Sequence, residues 1–435
     1  MKIAVVVQRY GAEISGGAEL HARYVTEHLA RHADVEVLTT CARDYVTWRN
    51  DYAPGPDTVN GVSVLRFPVH HERDVEKFGR LSERVFEHSH SLAHELAWLD
   101  AEGPASPALV RRVRAAALEC DVVLLFSFRY YHTYHGARAA TDRAVLVPTA
   151  ERDAAVGLAL FRPLFQRVRA IMYNSHEERD MIRAVAANDD VPGVVVGVGS
   201  EVPPNPDAAR FRRKFGVQGR FAIYVGRIDA NKGCRELFDF FARYAAASTD
   251  PLSLVLVGAS ILPIPDHPRI RHLGFLSDGD KFDALAASDV LIMPSFYESL
   301  SMVALEAWAL GRPVVANARC DVLQGQCLRS NGGLFYENGR EFTEVLRAIE
   351  TSDGLARALG GNGRAYFERH YTWPVIEGKY LDMLERLRRE PAGETARRSS
   401  PWPLPGWSER RRQSVEAANH VMERVPSGPS RARES

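Results

Sequence analysis

Two carboxylates, Glu298 and Glu306, stand eight positions apart across what reads as a strand-to-helix turn. The strand is the apolar run Val290–Met293, closed by Pro294 and Ser295. The helix reads from Leu300 to Leu310 and stops at Gly311 and Pro313, which are ordinary helix-ending residues. If the interval is mostly helical, it spans about 12 Å, close to the reach of a nucleotide-diphosphate sugar from ribose to hexose. Between the carboxylates lie the free N–H groups of a helix start, a seat for a diphosphate. Such a site would grip a sugar nucleotide at both ends and in the middle.

Upstream, Gly226-Arg227 follows the apolar run Phe221–Val225, and Lys232-Gly233 comes just before a helix reading from Cys234 to about Ala246. Gly226 lets backbone approach a ligand with no side chain in the way. Arg227 offers a fork of donors suited to phosphate oxygens, and Lys232 adds a point charge. Both follow a strand of the kind whose carboxyl end binds ligands in open α/β sheets.

The elements that must position these residues alternate strand with helix along most of the chain. That pattern predicts parallel sheets covered on both faces. In the first half the expected strands are Ile3–Val7, Val35–Thr39, Val62–Phe67, Val122–Phe126, Ala144–Val147, Ala170–Tyr173 and Val194–Val196. In the second half they are Phe221–Val225, Leu252–Val257, Val290–Met293 and Pro313–Ala316. A first amphipathic helix reads from Glu19 to Ala30, with Leu20, Tyr24, Val25 and Leu29 on one face. Residues 80–118 read as helical with breaks near Gly103-Pro104 and Pro107. The proline-rich, then basic stretch after Gly199 marks a boundary between residues 1–200 and 201–370. Residues 371–390 read as terminal helix. Residues 391–435, rich in proline and arginine, are expected to lack stable structure, with Ser414–Arg424 a candidate short helix and Trp402 and Trp407 candidate docking side chains.

The chain has 435 residues, 46% hydrophobic and 25% charged, enough for two full cores. Its formal net charge is zero, so no overall field points to nucleic acid. No apolar run approaches a membrane span, and the first residues are expected to form a short core strand rather than a signal peptide. The five cysteines are scattered without zinc-ligand spacing and read as reduced, buried thiols. Together these features predict a cytoplasmic protein, with Arg162, Arg167 and Arg169 and the cationic tail permitting contact with the inner leaflet.

The Gly226-Arg227…Lys232-Gly233 loop followed by Pro294-Ser295…Glu298…Glu306-Ala307 resembles the donor domain of retaining glycosyltransferases of family four. The resemblance extends to Gly16-Gly17-Ala18-Glu19, Leu256-Val257-Gly258, Gly274-Phe275-Leu276-Ser277, the run 331–335 and Tyr371…Trp373, and so covers residues 1 to about 389. It implies a GT-B fold: two Rossmann-like doubly wound domains facing across a cleft, with the acceptor domain first and the donor domain second. The terminal helix would then cross back to the first domain. By the same resemblance, Arg227 and Lys232 neutralise the donor diphosphate, and Glu298 holds hydroxyls of the transferred sugar. The backbone of Ser299, Leu300 and Ser301 receives phosphate oxygens, and Glu306 binds the ribose. Leu276 and Ser277 meet the base, while Gly226, Gly16 and Gly17 allow close approach to the phosphates. The implied reaction moves a hexose from a UDP- or GDP-sugar to a saccharide, lipid-linked or small-molecule acceptor, with retention and with no metal or other cofactor.

Two features depart from or compete with that pattern. Family members place a histidine in a stretch where this chain reads Thr149-Ala150-Glu151-Arg152, so Glu151 stands at the expected position. His132 and His135 are candidates to supply the missing contact, and Glu151 with Arg152 is a candidate acceptor-side pair; an aromatic loop with surface histidines is the plainer alternative. His88, His90 and His94 are expected to face solvent. Asp278-Gly279-Asp280 matches a metal-binding Asp-x-Asp pattern but is expected to cap a helix. A sugar-nucleotide-binding protein with weak or no transfer activity is the competing functional reading.

Overall fold

The computed structural model describes residues 1–14, 16–390, 402 and 405–431. The chain divides into two compact units, residues 1–198 with 376–426 and residues 199–375 with the segment from Ser427 onward.

The first unit is built on eight strands. They are β1 (Lys2–Val6), β2 (Asp34–Thr40), β3 (Gly55–Val59), β4 (Val62–Phe67), β6 (Val122–Phe126), β7 (Ala144–Val147), β8 (Ala170–Tyr173) and β9 (Gly193–Val195), while the short β5 (His90–Ser91) stands apart. Their order across the sheet is β3-β4-β2-β1-β6-β7-β8-β9. Every pairing is parallel except the edge hairpin of β3 with β4. The central strands carry buried residues on both alternations: Ala4 and Val6 beside Ile3 and Val5, Leu125 beside Leu124. Sheets covered on both faces require such continuous apolar runs. One covered face gathers Leu38, Val123, Leu146 and Ile171 with Trp98, Phe161 and Phe165 from the helical layer. Residues from Ile376 of the helix Trp373–Arg389 belong to this unit.

The second unit holds β10 (Phe221–Val225), β11 (Ser253–Val257), β12 (Ile270–His272), β13 (Val290–Met293), β14 (Val314–Asn317) and β15 (Gly333–Tyr336). All are parallel, in the order β12-β11-β10-β13-β14-β15. The ends of β10 and β11 converge closely. A Cβ on Gly258 would lie 2.0 Å from the Gly226 carbonyl oxygen, and Gly258 itself has φ of +133°. Gly258→Ala is therefore expected to destabilise this unit by about 2–4 kcal/mol, combining overpacking with a disfavoured backbone. Denaturant unfolding measures it, and wild-type stability would contradict the close approach.

The expectation of an unstructured tail is corrected for its described part; residues 391–401, 403–404 and 432–435 lie outside the described residues. Helices Trp407–Arg412 and Ala418–Glu423 form, and β16 (Ser414–Val415) pairs antiparallel with β5. The sequence misleads here because its prolines and arginines mask four apolar anchors: Trp402, Val421, Met422 and Val425 are all buried. Trp407, by contrast, is exposed. His90, expected to face solvent, is buried, with Nδ1 on the His88 carbonyl at 2.8 Å and Nε2 on Glu95 at 2.9 Å. Arg169 is buried too and donates to the carbonyls of Leu387 and Glu390, so it is not available to a lipid surface. Among the described residues no helix is long and apolar enough to cross a membrane.

Candidate active site

Because β10 pairs directly with β13, with Ala222 opposite Val290 and Ile223 opposite Leu291, the two charged loops leave neighbouring strands at the same end of the sheet. Gly233 seals their contact. It adopts φ of +72°, and a Cβ there would stand 2.1 Å from the Pro294 carbonyl oxygen. With the backbones this close, Lys232 Nζ donates to Glu298 Oε1 at 2.8 Å. The two motifs, far apart in sequence, are thus joined by an ion pair, and its Glu298 side chain is 12% exposed.

Asp229 organises the basic loop, and sequence reasoning passed over it. Its buried carboxylate accepts from Arg227 Nε and, at 2.7 Å, from the Lys232 backbone N–H. Tyr224 donates its hydroxyl to the Arg227 carbonyl at 2.7 Å. The Arg227 side chain stays 56% exposed, so Asp229 orients the guanidinium while leaving much of it open to an anion. The Arg-Ile-Asp spacing at 227–229 was the available signal, since a carboxylate two residues beyond an arginine can fold back onto it.

The helix after β13 is Met302–Ala309, shorter than expected. Leu300 and Ser301 precede it. Ser301 is the N-cap, its hydroxyl accepting from the Ala304 N–H at 3.2 Å. Residues 298–301 are therefore loop, and the 12 Å helical spacing between the carboxylates does not apply. Ser301 hydroxyl is committed to capping; what the loop can offer an anion is backbone. Glu306 is buried inside the helix, where Lys281 Nζ donates to Oε1 at 2.8 Å and Oε2 has no hydrogen-bond partner. Burial pushes this carboxyl upward, against the pull of Lys281. Lys281 was the second residue missed. An acceptor left unsatisfied in a buried position calls for a donor, and a ligand hydroxyl would supply one.

Ser277 caps the helix Asp278–Ala287 and exchanges hydrogen bonds with Asp280, while Leu276 before it is buried. Asp278 and Asp280 occupy the first helical turn, Asp280 against Lys214 at 2.7 Å and Asp278 against Lys281 at 3.4 Å. The cap itself is Ser277, and the two acids lie in the first turn, each paired with a lysine.

In the first unit, Gly16 is the N-cap of the helix Gly17–Leu29. Beside it Arg9 and Glu19 form a buried pair at 2.6 Å. His132 and His135 do not lie in a surface loop. They belong to the helix Tyr131–Ala139. His132 has no exposed surface, and its ring stacks on Tyr130 at 5.9 Å. Burial lowers its pKa to about 3 and that of His135 to about 4. His132 thus sits enclosed on its helix rather than in a surface loop. Glu151 is half-buried in the turn after β7. Thr149 before it adopts φ of +49° and donates to Ser127, itself at φ of +65° beyond the adjacent β6, at 3.0 Å. Two left-handed non-glycine residues bonded to each other at neighbouring strand ends are the kind of strain that collects at functional sites.

Beneath this turn Glu178 accepts the Ala150 and Asn174 N–H groups, each at 2.5 Å. Burial pushes its carboxyl from 4.5 up to about 8, against the pull of those two donors. A carboxyl with a raised folded pKa contributes stability that is full below its unfolded value and lost as pH rises through the folded one. The melting temperature of the first unit should therefore fall between about pH 5 and about pH 9, and Glu178→Gln, which cannot ionise, should fall less. A steeper fall in the variant would contradict this assignment.

Residues 219–351 match the family model described as Glycosyl transferases group 1. The second unit is thus similar to group 1 glycosyltransferases over that stretch, and the fold, shared with solved glycosyltransferases, is GT-B. The Anabaena protein HepE, solved with UDP and glucose, superposes with a TM-score of 0.63 at 17% identity, covering 89% of this chain and 100% of its own. An uncharacterised glycosyltransferase of Methanocaldococcus jannaschii is 24% identical over 86% of this chain and 96% of its own length. The mannosylfructose-phosphate synthase of Agrobacterium fabrum is 24% identical over 46% of this chain, and the match spans 50% of that relative.

Proposed function

We propose that the chain transfers a hexose from a nucleoside-diphosphate sugar to a saccharide, lipid-linked or small-molecule acceptor, retaining the anomeric configuration and using no metal. The observation that carries this reading is the Lys232–Glu298 pair at 2.8 Å, which sets a cation and a hydroxyl acceptor side by side at the ends of β10 and β13. In this reading Arg227, Lys232 and the backbone of residues 299–301 receive the diphosphate. Glu298 accepts from the hexose, and the open oxygen of Glu306 accepts from the ribose. As the bond from C1 to the phosphate oxygen breaks, charge grows on the diphosphate, and fixed cations stabilise it most at that point. The acceptor oxygen bonds to C1 on the same face, and its proton passes to the leaving phosphate oxygen. The two lysines near the Asp-x-Asp acids and the cations already facing the diphosphate seat support a metal-free route.

UDP bound in the HepE neighbour makes UDP-sugars the first donors to test. A panel of UDP-, GDP- and ADP-sugars should contain one that raises the melting temperature by mass action and is converted to free nucleotide. Binding without turnover of any donor, with every acceptor class tried, would favour an inert sugar-nucleotide-binding protein. Absence of binding would overturn the reading.

A further inference from the structure

We propose that the C-terminal segment 405–426, together with Trp402, is a strap that positions the turn 149–160, and with it Glu151, for use of the acceptor. This rests on the reading of the first unit as the acceptor half.

The turn is held at both ends and in its middle. At its start Thr149 is bonded to Ser127, and Ala150 to Glu178. Asp153 is tied to Arg129 at 2.7 Å. At its end Ala159 and Leu160 donate to the Glu95 carboxylate at 3.1 and 2.7 Å. The strap adds three contacts, at Arg152, at Gly157 and, through β5, at the Glu95 carboxylate. The Arg152 guanidinium, next to Glu151, donates to the carbonyls of Val425 and Pro426. Ala418 lies flat on the 3-10 turn Ala154–Gly157, so close that a Cβ on Gly157 would stand 2.4 Å from its carbonyl oxygen and 3.2 Å from Met422 Cγ. Gly157 is needed there for space rather than for an unusual φ. Finally, β16 pairs with β5, whose His90 binds the same Glu95 carboxylate that receives Ala159 and Leu160.

Trp402 anchors the near end edge-on against Tyr134 at 5.0 Å, on the helix Tyr131–Ala139. Backbone held in a left-handed conformation, as at Thr149, persists only when its surroundings over-determine it. The strap adds to the surroundings of this turn at Arg152 and Gly157, beside the holds from Ser127, Glu178, Arg129 and Glu95.

The test compares wild type with Gly157→Val in the full chain, reading amide hydrogen exchange, the UDP-induced melting shift, and turnover of UDP-glucose with and without acceptors. Residues 414–426 and 149–160 should lose protection together, by about tenfold or more. The UDP shift and slow release of UDP into water should stay as in wild type, while transfer to any acceptor used by wild type falls through a raised acceptor KM. Should Gly157→Val fail to fold, Val415→Pro, which breaks the pairing with β5, replaces it. Release of 414–426 with unchanged exchange in 149–160 would overturn the strap, as would loss of UDP binding in step with transfer. If wild type turns over no sugar nucleotide yet the two segments lose protection together, the strap stands and the enzymatic reading fails.

Discussion

Glu298→Ala is expected to lower turnover of the preferred sugar nucleotide by about two to three orders of magnitude while UDP affinity changes by no more than about threefold. The asymmetry follows from where Glu298 sits. Its partner is Lys232, at 2.8 Å, and it lies in the loop before the helix rather than on the helix with Glu306. In the proposed reading a carboxylate there meets the transferred sugar, whose hydroxyls would bind more strongly as positive charge develops at the anomeric carbon. An interaction that strengthens in the transition state shows in kcat rather than in ground-state affinity. Free UDP has no hexose and should hardly register the loss. Steady-state turnover and calorimetric titration with UDP measure the two quantities. Wild-type turnover in the variant would remove Glu298 from the site.

How much of this was visible beforehand depended on whether a residue announced itself through neighbours in sequence or only through neighbours in space. The interior strands were legible because burial on both faces forces continuous apolar runs, as in Val122–Phe126 and Val290–Met293. The strands missed in the main sheets were edges: β3, with Gly55, Pro56 and Asp57, and β12 and β15 at the two sides of the second sheet. An edge strand packs against one neighbour only and carries little apolar signature. Gly-Arg and the paired glutamates likewise stood out as motifs. Asp229, Lys281 and the Lys232–Glu298 pairing did not, since each acquires meaning only when the loops meet. Misreading His132 had a related cause. Its aromatic neighbours suggested a loop, but Thr133, Tyr134, Gly136 and Ala137 are buried with it on one helix, so the ring turned inward.

That ion pair also sets the other large effect. Lys232→Met should weaken UDP binding by about thirtyfold or more and reduce turnover further, beyond the loss of one phosphate contact. Removing the lysine leaves Glu298 as a largely enclosed carboxylate with its cation gone, facing an incoming dianion; the truncated partner of a close charge pair costs more than the pair is worth. The second substitution should therefore compensate in part. Lys232→Met with Glu298→Gln should bind UDP about tenfold more tightly than Lys232→Met alone, because the amide removes the repulsion, while turnover stays low because the hexose has lost its carboxylate. A double-mutant cycle isolates this coupling. If the two substitutions were additive in UDP affinity, Glu298 would not sense the diphosphate, and the contact between Lys232 and Glu298 would be a structural tie between the two loops rather than part of the donor seat.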